Sequence, residues 1–512
     1  MDNRNYNIFF HLHTVSGIVI SVLVYVIFFA GSFSFFRDDI VNWERNESPN
    51  TSDAIHTDYD LALRRLDSAH ALYGREVEIR RFFAEENLGV SLEPSKDTVA
   101  NPKGKAGAFF YYHSKTGRTQ TYEDSYTLGE FLYRLHFFAQ VPTGYYLSGF
   151  TALFLLFALL TGILIHWKKI ISNFFVFRPR EKLKTLWTDA HTALGVIGLP
   201  FQLVYAVTGA FFMIKALLIA PNLVAFFDND QKKFYEALGY GHASVPFAGE
   251  KVAEWPSFGQ LAASVEGRWK GFQITELHIV HFGDRSMQVT FEGSIPKTEK
   301  FVGRGAVTFD AGGRALHVAD PYRSVSYVET VKDVLYRLHY GDYAGYGLRL
   351  FSFLMGLTGC FVVLSGVMIW LTARNKKKLP EAKRRFNERV ARVYLAICLP
   401  MLPVTALAFV VVKLFPMRGA AFLYTFYFLT WLAAALFFVW KADNRFTNRA
   451  SLVATAVLGA VIPLINGLTT GNWLWTSVAT GQVQSFVVDL LWWVLAVGAG
   501  YAFWKSSQSQ SQ

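Results

Sequence analysis

The chain has 512 residues, of which 52% are hydrophobic, 16% aromatic and only 17% charged. That balance, with several uninterrupted apolar runs near twenty residues long, excludes an ordinary soluble enzyme and places the chain in a lipid bilayer. The formal net charge of +11 does not signal nucleic acid, because the basic residues cluster in short loops between apolar runs, where the positive-inside rule expects them.

The two cysteines, Cys360 and Cys398, fall inside apolar runs and imply packing rather than a disulfide framework. Eight runs are long enough to cross a hydrocarbon core about 30 Å thick. They cover residues 14–36, 145–167, 192–214, 347–371, 393–415, 420–440, 450–468 and 483–504. The first is too long for the apolar stretch of a signal peptide and reads as a retained helix. The seventh is the weakest, because Pro463 and Asn466 interrupt it.

Basic residues set the orientation. Lys168, Lys169, Arg178, Arg180, Lys182 and Lys184 lie between runs two and three, and Arg374, Lys376, Lys377, Lys378, Lys383, Arg384 and Arg385 lie between runs four and five. Lys441, Arg445 and Arg449 lie between six and seven. These loops and both termini are expected on the cytoplasmic side of the membrane. Two long polar segments then fall outside. In the first, residues 59–72 read as a helix, Phe109-Phe110-Tyr111-Tyr112 as a strand and Lys115-Thr116-Gly117-Arg118 as a turn. In the second, residues 273–279 and 286–291 alternate like strands, and Ala306-Val307-Thr308-Phe309-Asp310 runs into a glycine turn.

The expected fold is a mainly α membrane protein with about eight transmembrane helices and two small α+β external modules. The expected organisation is a first membrane helix (1–36), a first module (37–130), helices two and three with their loop (131–215), and a second module (216–332). A fourth helix (333–373), a basic loop (374–392), an added four-helix domain (393–505) and a Ser/Gln-rich disordered tail (506–512) follow.

The first four helices form a duplicated bundle. Leu132-Tyr133-Arg134-Leu135-His136 recurs as Leu335-Tyr336-Arg337-Leu338-His339, and His13-Thr14-Val15-Ser16-Gly17 is echoed by His191-Thr192-Ala193-Leu194-Gly195. The repeat is parallel, and such repeats usually place a shared site between their halves.

Six of the thirteen histidines sit at the ends of membrane runs: His11, His13, His136, His166, His191 and His339. Ionisable groups at membrane depth raise a functional hypothesis by default, against which stands simple helix anchoring. His136 and His339 gather at the external end, and His13, His166 and His191 at the cytoplasmic end. Haem iron held by two imidazoles needs one histidine from each of two facing helices around an apolar slot. His136 with His339 makes an outer site, and two of His13, His166 and His191 an inner one. Zinc fits less well, since a structural site wants four ligands and neither carboxylate nor thiol accompanies these histidines.

Arg134 and Arg337, two residues before the outer histidines, suit haem propionates and lipid headgroups equally. Tyr133 and Tyr336 share the histidines' helical face. His278 and His281 are expected on opposite faces of a strand, a poor metal site. Asp489 is expected to pair with Lys413 inside the added domain.

These stretches resemble the PepSY-associated transmembrane helix proteins, which include iron-regulated membrane proteins and ferric-siderophore reductases. The resemblance rests on His11-Leu12-His13-Thr14 through Gly17, Gly31-Ser32-Phe33-Ser34-Phe35-Phe36-Arg37-Asp38 and Thr161-Gly162-Ile163-Leu164-Ile165-His166-Trp167. Phe177-Arg178-Pro179, Asp189-Ala190-His191, Leu199-Pro200-Phe201, Thr208-Gly209 and Leu338-His339 complete it.

It implies PepSY-like external modules and haem ligands drawn from His13, His136, His166, His191 and His339. Two positions depart from the pattern: Gln202 stands where relatives carry histidine, and Trp370 stands where His166 stands in the first half. The resemblance implies a membrane ferric reductase with two haem b groups. Such a protein passes electrons to a periplasmic acceptor, iron held by a siderophore. No Gly-x-Gly-x-x-Gly string stands in a soluble stretch, so quinol or a separate cytoplasmic reductase is the expected donor. The rival expectations are a non-redox PepSY protein that binds peptides or regulates a peptidase, and a transporter.

Overall fold

The computed structural model describes residues 2–49, 52–167, 170, 178, 183–237, 245–323, 326–374 and 379–508. Lys168, Lys169, Arg180, Lys182, Lys376, Lys377 and Lys378 of the basic loops, Phe177 and Pro179 of the motif, and residues 509–512 of the tail lie outside these. The first half carries helices α1 (Asn3–Ser34), α2 (Arg37–Arg45) and α3 (Tyr59–His70), then strands β1 (Val77–Arg80), β2 (Asn87–Leu92), β3 (Ala108–His113) and β4 (Thr119–Gln120). Helices α4 (Leu128–Leu135), α5 (Gly144–His166), α6 (Leu183–Phe227), α7 (Gln231–Ala237) and α8 (Phe258–Glu266) follow. Strands β5 (Gln273–Val280), β6 (Gln288–Ser294), β7 (Arg304–Asp310) and β8 (Ala315–Ala319) precede α9 (Tyr327–Tyr340) and α10 (Gly345–Arg374). The remainder is helical: α11 (Glu381–Cys398), α12 (Met401–Leu414), α13 (Gly419–Lys441), α14 (Asn444–Thr470), α15 (Leu474–Ala479) and α16 (Val483–Gln508).

Among the described residues, eight helical segments are long and apolar enough to cross a membrane, α11 and α12 counting as one. The protein is a multi-pass membrane protein, mainly α, as its composition requires. Two units separate by contact: a helical unit of Met1–Asn46, Thr127–Pro221 and Leu338–Gln512, and a sheet unit of Glu47–Tyr126 and Asn222–Arg337.

In the helical unit α1 is central. Asp2 caps it by accepting from the Asn5 amide at 2.7 Å, and it packs along both α5 and α10. Small residues permit the approach: a Cβ on Gly356 of α10 would stand 2.3 Å from Ser32 Oγ of α1. Buried ion pairs pin α2, with Arg37 on Glu130 at 2.9 Å and Asp39 taking Arg349 and the Tyr346 hydroxyl at 2.7 Å. The last helices dock on this frame through Trp43, Phe33, Phe409 and Trp492, with Phe409 and Trp492 centroids 5.0 Å apart.

Three expectations are corrected in the helical unit. The fifth span breaks into α11 and α12 at Leu399–Pro400, because proline has no amide to continue the ladder. The seventh span is unbroken, α14 running through Pro463. Neighbouring helices in a bundle absorb such a proline. Asp489 meets Lys413 through Trp43: its carboxylate accepts from the Trp43 indole and from Asn466, each at 2.8 Å. The Lys413 ammonium lies 4.2 Å over the Trp43 ring and donates to the Trp43 carbonyl.

The sheet unit is one antiparallel sheet in the order β4-β3-β2-β1-β5-β6-β7-β8. The expected strands are present, the Lys115–Arg118 turn carries Gly117 at φ +72°, and the β7–β8 turn carries Gly313 at φ +82°. The two modules join through β1 and β5, in register Val77↔Ile279 to Arg80↔Glu276. Strand alternation turns apolar residues to one side, and Leu63 and Leu66 of α3 and Phe258 and Val265 of α8 share one core with Val77, Val90, Leu277, Phe291 and Val307. Domain edges shift accordingly: α2 belongs to the helical unit, and α6 extends to Phe227, past the expected start of the second module.

Candidate functional site

The repeated Leu-Tyr-Arg-Leu-His strings end α4 and α9. Thr127 caps α4, and the Glu44 carboxylate accepts from the Leu128 amide at 2.7 Å, satisfying donors that a helix start leaves open. The helix stops after Leu135, so His136 is its C-cap. Its ring faces that of His339 on α9, with centroids 5.9 Å apart and planes inclined by 46°. His136 Nδ1 donates to the Ile27 carbonyl of α1 at 2.8 Å, and His339 Nδ1 lies 2.6 Å from Thr208 Oγ1 of α6. Tyr205 and Phe212 flank the His339 ring, centroids 5.8 and 5.3 Å away.

A second pair stands on α1 and α6, the helices that carry the Ile27 carbonyl and Thr208. His13 of α1 and His191 of α6 have ring centroids 6.2 Å apart and planes inclined by 78°. His13 Nδ1 donates to the Ala158 carbonyl of α5 at 2.9 Å, and His191 Nδ1 to the Val362 carbonyl of α10 at 2.9 Å. His166, the third candidate at this end, is the last residue of α5 and half-buried. Along α1, Ile27 lies fourteen residues beyond His13, so the two pairs are about 21 Å apart on that helix.

The arginines differ from one another. Arg134 Nε bonds Glu130 at 2.9 Å and its Nη1 reaches the Tyr145 hydroxyl at 3.3 Å. Arg337 donates to the Phe301 carbonyl at 3.4 Å within the sheet unit. The Tyr133 hydroxyl meets that of Tyr340, next to His339, at 3.3 Å.

Within the helical unit, duplicated helices bring four of the five candidate histidines together as two facing pairs. The profile of the PepSY-associated TM region matches residues 10–373. The chain belongs to the PepSY-associated transmembrane family. The match takes in all five candidate histidines and leaves the last helices outside. Uncharacterized protein PA4219 of Pseudomonas aeruginosa is 27% identical over 257 residues, which are 47% of this chain and 62% of that protein. The chain thus spans less than two thirds of that relative's length.

In this PepSY-associated protein the departures from the family pattern are buried or stacked. Gln202 of α6 is 2% exposed, and its amide nitrogen has no hydrogen-bond partner among the described residues. Trp370 carries the Arg374 guanidinium at 5.1 Å. Sequence reasoning missed the groups that hold the rings: the Ile27, Ala158 and Val362 carbonyls and the Thr208 hydroxyl. A carbonyl has no side-chain signature. Each lies close to a small-residue–glycine pair, Ala30-Gly31, Thr161-Gly162, Ser365-Gly366 and Thr208-Gly209, which was the available signal.

Proposed function

We propose that this protein is a dihaem b-type oxidoreductase of the bacterial inner membrane that passes electrons outward to ferric iron held by a siderophore. The observation that carries this reading is the spacing of the paired rings. The two ring pairs have centroids 5.9 and 6.2 Å apart, close enough for both imidazoles of a pair to reach one metal ion at bonds of about 2.0–2.1 Å. Three Nδ1 atoms face carbonyls, which only accept, so Nδ1 carries the proton and Nε2 keeps the lone pair a metal needs.

Each pair supplies two ligands, so the metal's remaining ligands have to come from a macrocycle, which haem provides. His136 and His339 would hold the outer haem, and His13 and His191 the inner one. Each haem, when bound, supplies one reversible electron carrier, and two separated along α1 divide a distance that one cofactor cannot span. The chain's own work is to hold the ligand rings in the neutral tautomer and to keep water from them: Tyr205 and Phe212 pack against His339. Arg134, bonded to Glu130, and Arg337 are the nearest sequence neighbours able to meet propionates. Reducing siderophore iron weakens its hold by hard oxygen ligands and releases it. Quinol or a cytoplasmic reductase is the donor.

The test is a reduced-minus-oxidised spectrum and a pyridine haemochrome assay on full-length protein from haem-supplied cells. Two b haems per chain are expected. His136→Ala and His339→Ala should each remove the same haem, His13→Ala and His191→Ala the other, and His166→Ala neither. Absence of b-type bands from the wild type overturns the reading.

A further inference from the structure

The histidines share a seat built on the facing helix. A Cβ added to Gly31 would stand 2.6 Å from His136 Nδ1, one on Gly162 3.2 Å from His13 Cε1, and one on Gly366 3.3 Å from His191 Cε1. In each case the carbonyl bound by Nδ1 belongs to the residue four before the glycine: Ile27, Ala158 and Val362. Residues i and i−4 stack on one helix face, so a missing side chain at i opens the notch through which a ring reaches the carbonyl at i−4. A carbonyl oxygen has two lone pairs; at Ala158 and Val362 the imidazole shares it with the Thr161 and Ser365 hydroxyls, at 2.9 and 2.8 Å.

The residue before the glycine varies, and with it the hydrogen bonding. Ser365 Oγ lies 3.1 Å from His191 Nδ1 and Thr161 Oγ1 3.5 Å from His13 Nδ1. Ala30 offers nothing. At the fourth seat the hydroxyl takes over: Thr208 Oγ1 donates to the Val204 carbonyl at 2.5 Å and so is left to accept from His339 Nδ1 at 2.6 Å. A Cβ on Gly209 would meet Ala152 and not the histidine.

We infer that these seats are positioning devices that fix how strongly each histidine donates to its iron, and that Thr208 separates the potential of the His136/His339 centre from that of the other. The inference rests on the haem reading above. An acceptor at Nδ1 fixes the tautomer and raises the basicity of the ligating nitrogen, which favours ferric over ferrous iron. A hydroxyl that itself donates to a carbonyl is a strengthened acceptor; Ser365 also donates, to Val362, but Thr208 stands closer to its histidine, at 2.6 against 3.1 Å, and takes the place of the carbonyl.

Thr208→Val keeps the shape and removes the acceptor. In a spectrally monitored redox titration of the full-length protein, it should retain two haems. One midpoint should move upward, its ferrous-to-ferric ratio changing on the order of tenfold, about 59 mV for a one-electron couple. Thr208→Ser should restore the wild-type value, and the unmoved second haem reports that the protein is folded. Loss of one haem in Thr208→Val with retention in Thr208→Ser supports the inference equally. Gly31→Ala should remove the same haem as His136→Ala. Two midpoints unchanged in Thr208→Val, or both shifted alike, overturn the inference and leave the haem reading standing. A wild type without haem overturns both.

Discussion

His278 lies on β5 at the seam between the two modules, where its Nε2 meets Glu76 at 2.6 Å. Burial alone would lower its pKa, but the Glu76 hydrogen bond and the charges of Glu76, Glu276 and Glu78 outweigh burial and hold it above the usual 6.5. The sign follows from linkage. Below the unfolded value near 6.5 the ring is protonated in both states and the pair contributes fully, whereas the contribution fades as pH rises through the folded value. The carboxylate is 42% exposed, so the pair is worth roughly 1 kcal/mol after screening. Amide exchange of β1 and β5, corrected for intrinsic rates, should therefore show the seam loosening as pH rises above 6.5 and through the raised folded value. His278→Gln should flatten that dependence, and equal slopes in both proteins would count against it. His281, three residues on, lies past the end of β5 with φ +54°. Strand alternation therefore does not describe it, and its Nδ1 meets Ser286 Oγ at 3.0 Å.

Among the elements, the α1–α10 crossing governs the site, because α1 carries His13 and Ile27 while α10 carries Val362. Gly356 and Gly359 form the contact, a Cβ on the latter falling 3.0 Å from the Phe28 ring. Gly356→Val should force the helices apart at a cost of about 1–3 kcal/mol. Thermal melts in detergent should show lowered stability, and a variant as stable as wild type would show that the crossing has slack. The number and approximate positions of the membrane helices were legible in the apolar runs, but their ends were not, since α6 runs Leu183–Phe227 against an expected 192–214. The two misjudged spans show the limit of that reading: Pro400 ends a helix whereas Pro463 sits inside one. Local propensity is the same at both, and the surrounding bundle decides.

In the whole molecule the largest departure from expectation is the single eight-stranded sheet. Two modules far apart in sequence share one ladder through β1 and β5, so they should unfold together. Ile79→Pro removes a ladder donor and leaves its buried acceptor unpaired, which should cost about 1–3 kcal/mol. Hydrogen exchange should then rise in β2 of the first module and β6 of the second alike. Exchange confined to the first module would show that the two fold independently.

What the sequence determined by itself was whatever repeats locally: membrane spans, from runs of apolar residues, strands, from alternation, and the duplicated histidine strings that name one facing pair. Tertiary structure decided what depends on groups without a side-chain signature or on distant partners. These are the ladder joining the modules, the ring-to-ring placing of His13 with His191 out of three candidates, and the Ile27, Ala158 and Val362 carbonyls that seat the rings. Every residue carries the same backbone carbonyl, so only the crossing of two helices shows which of them a histidine can reach.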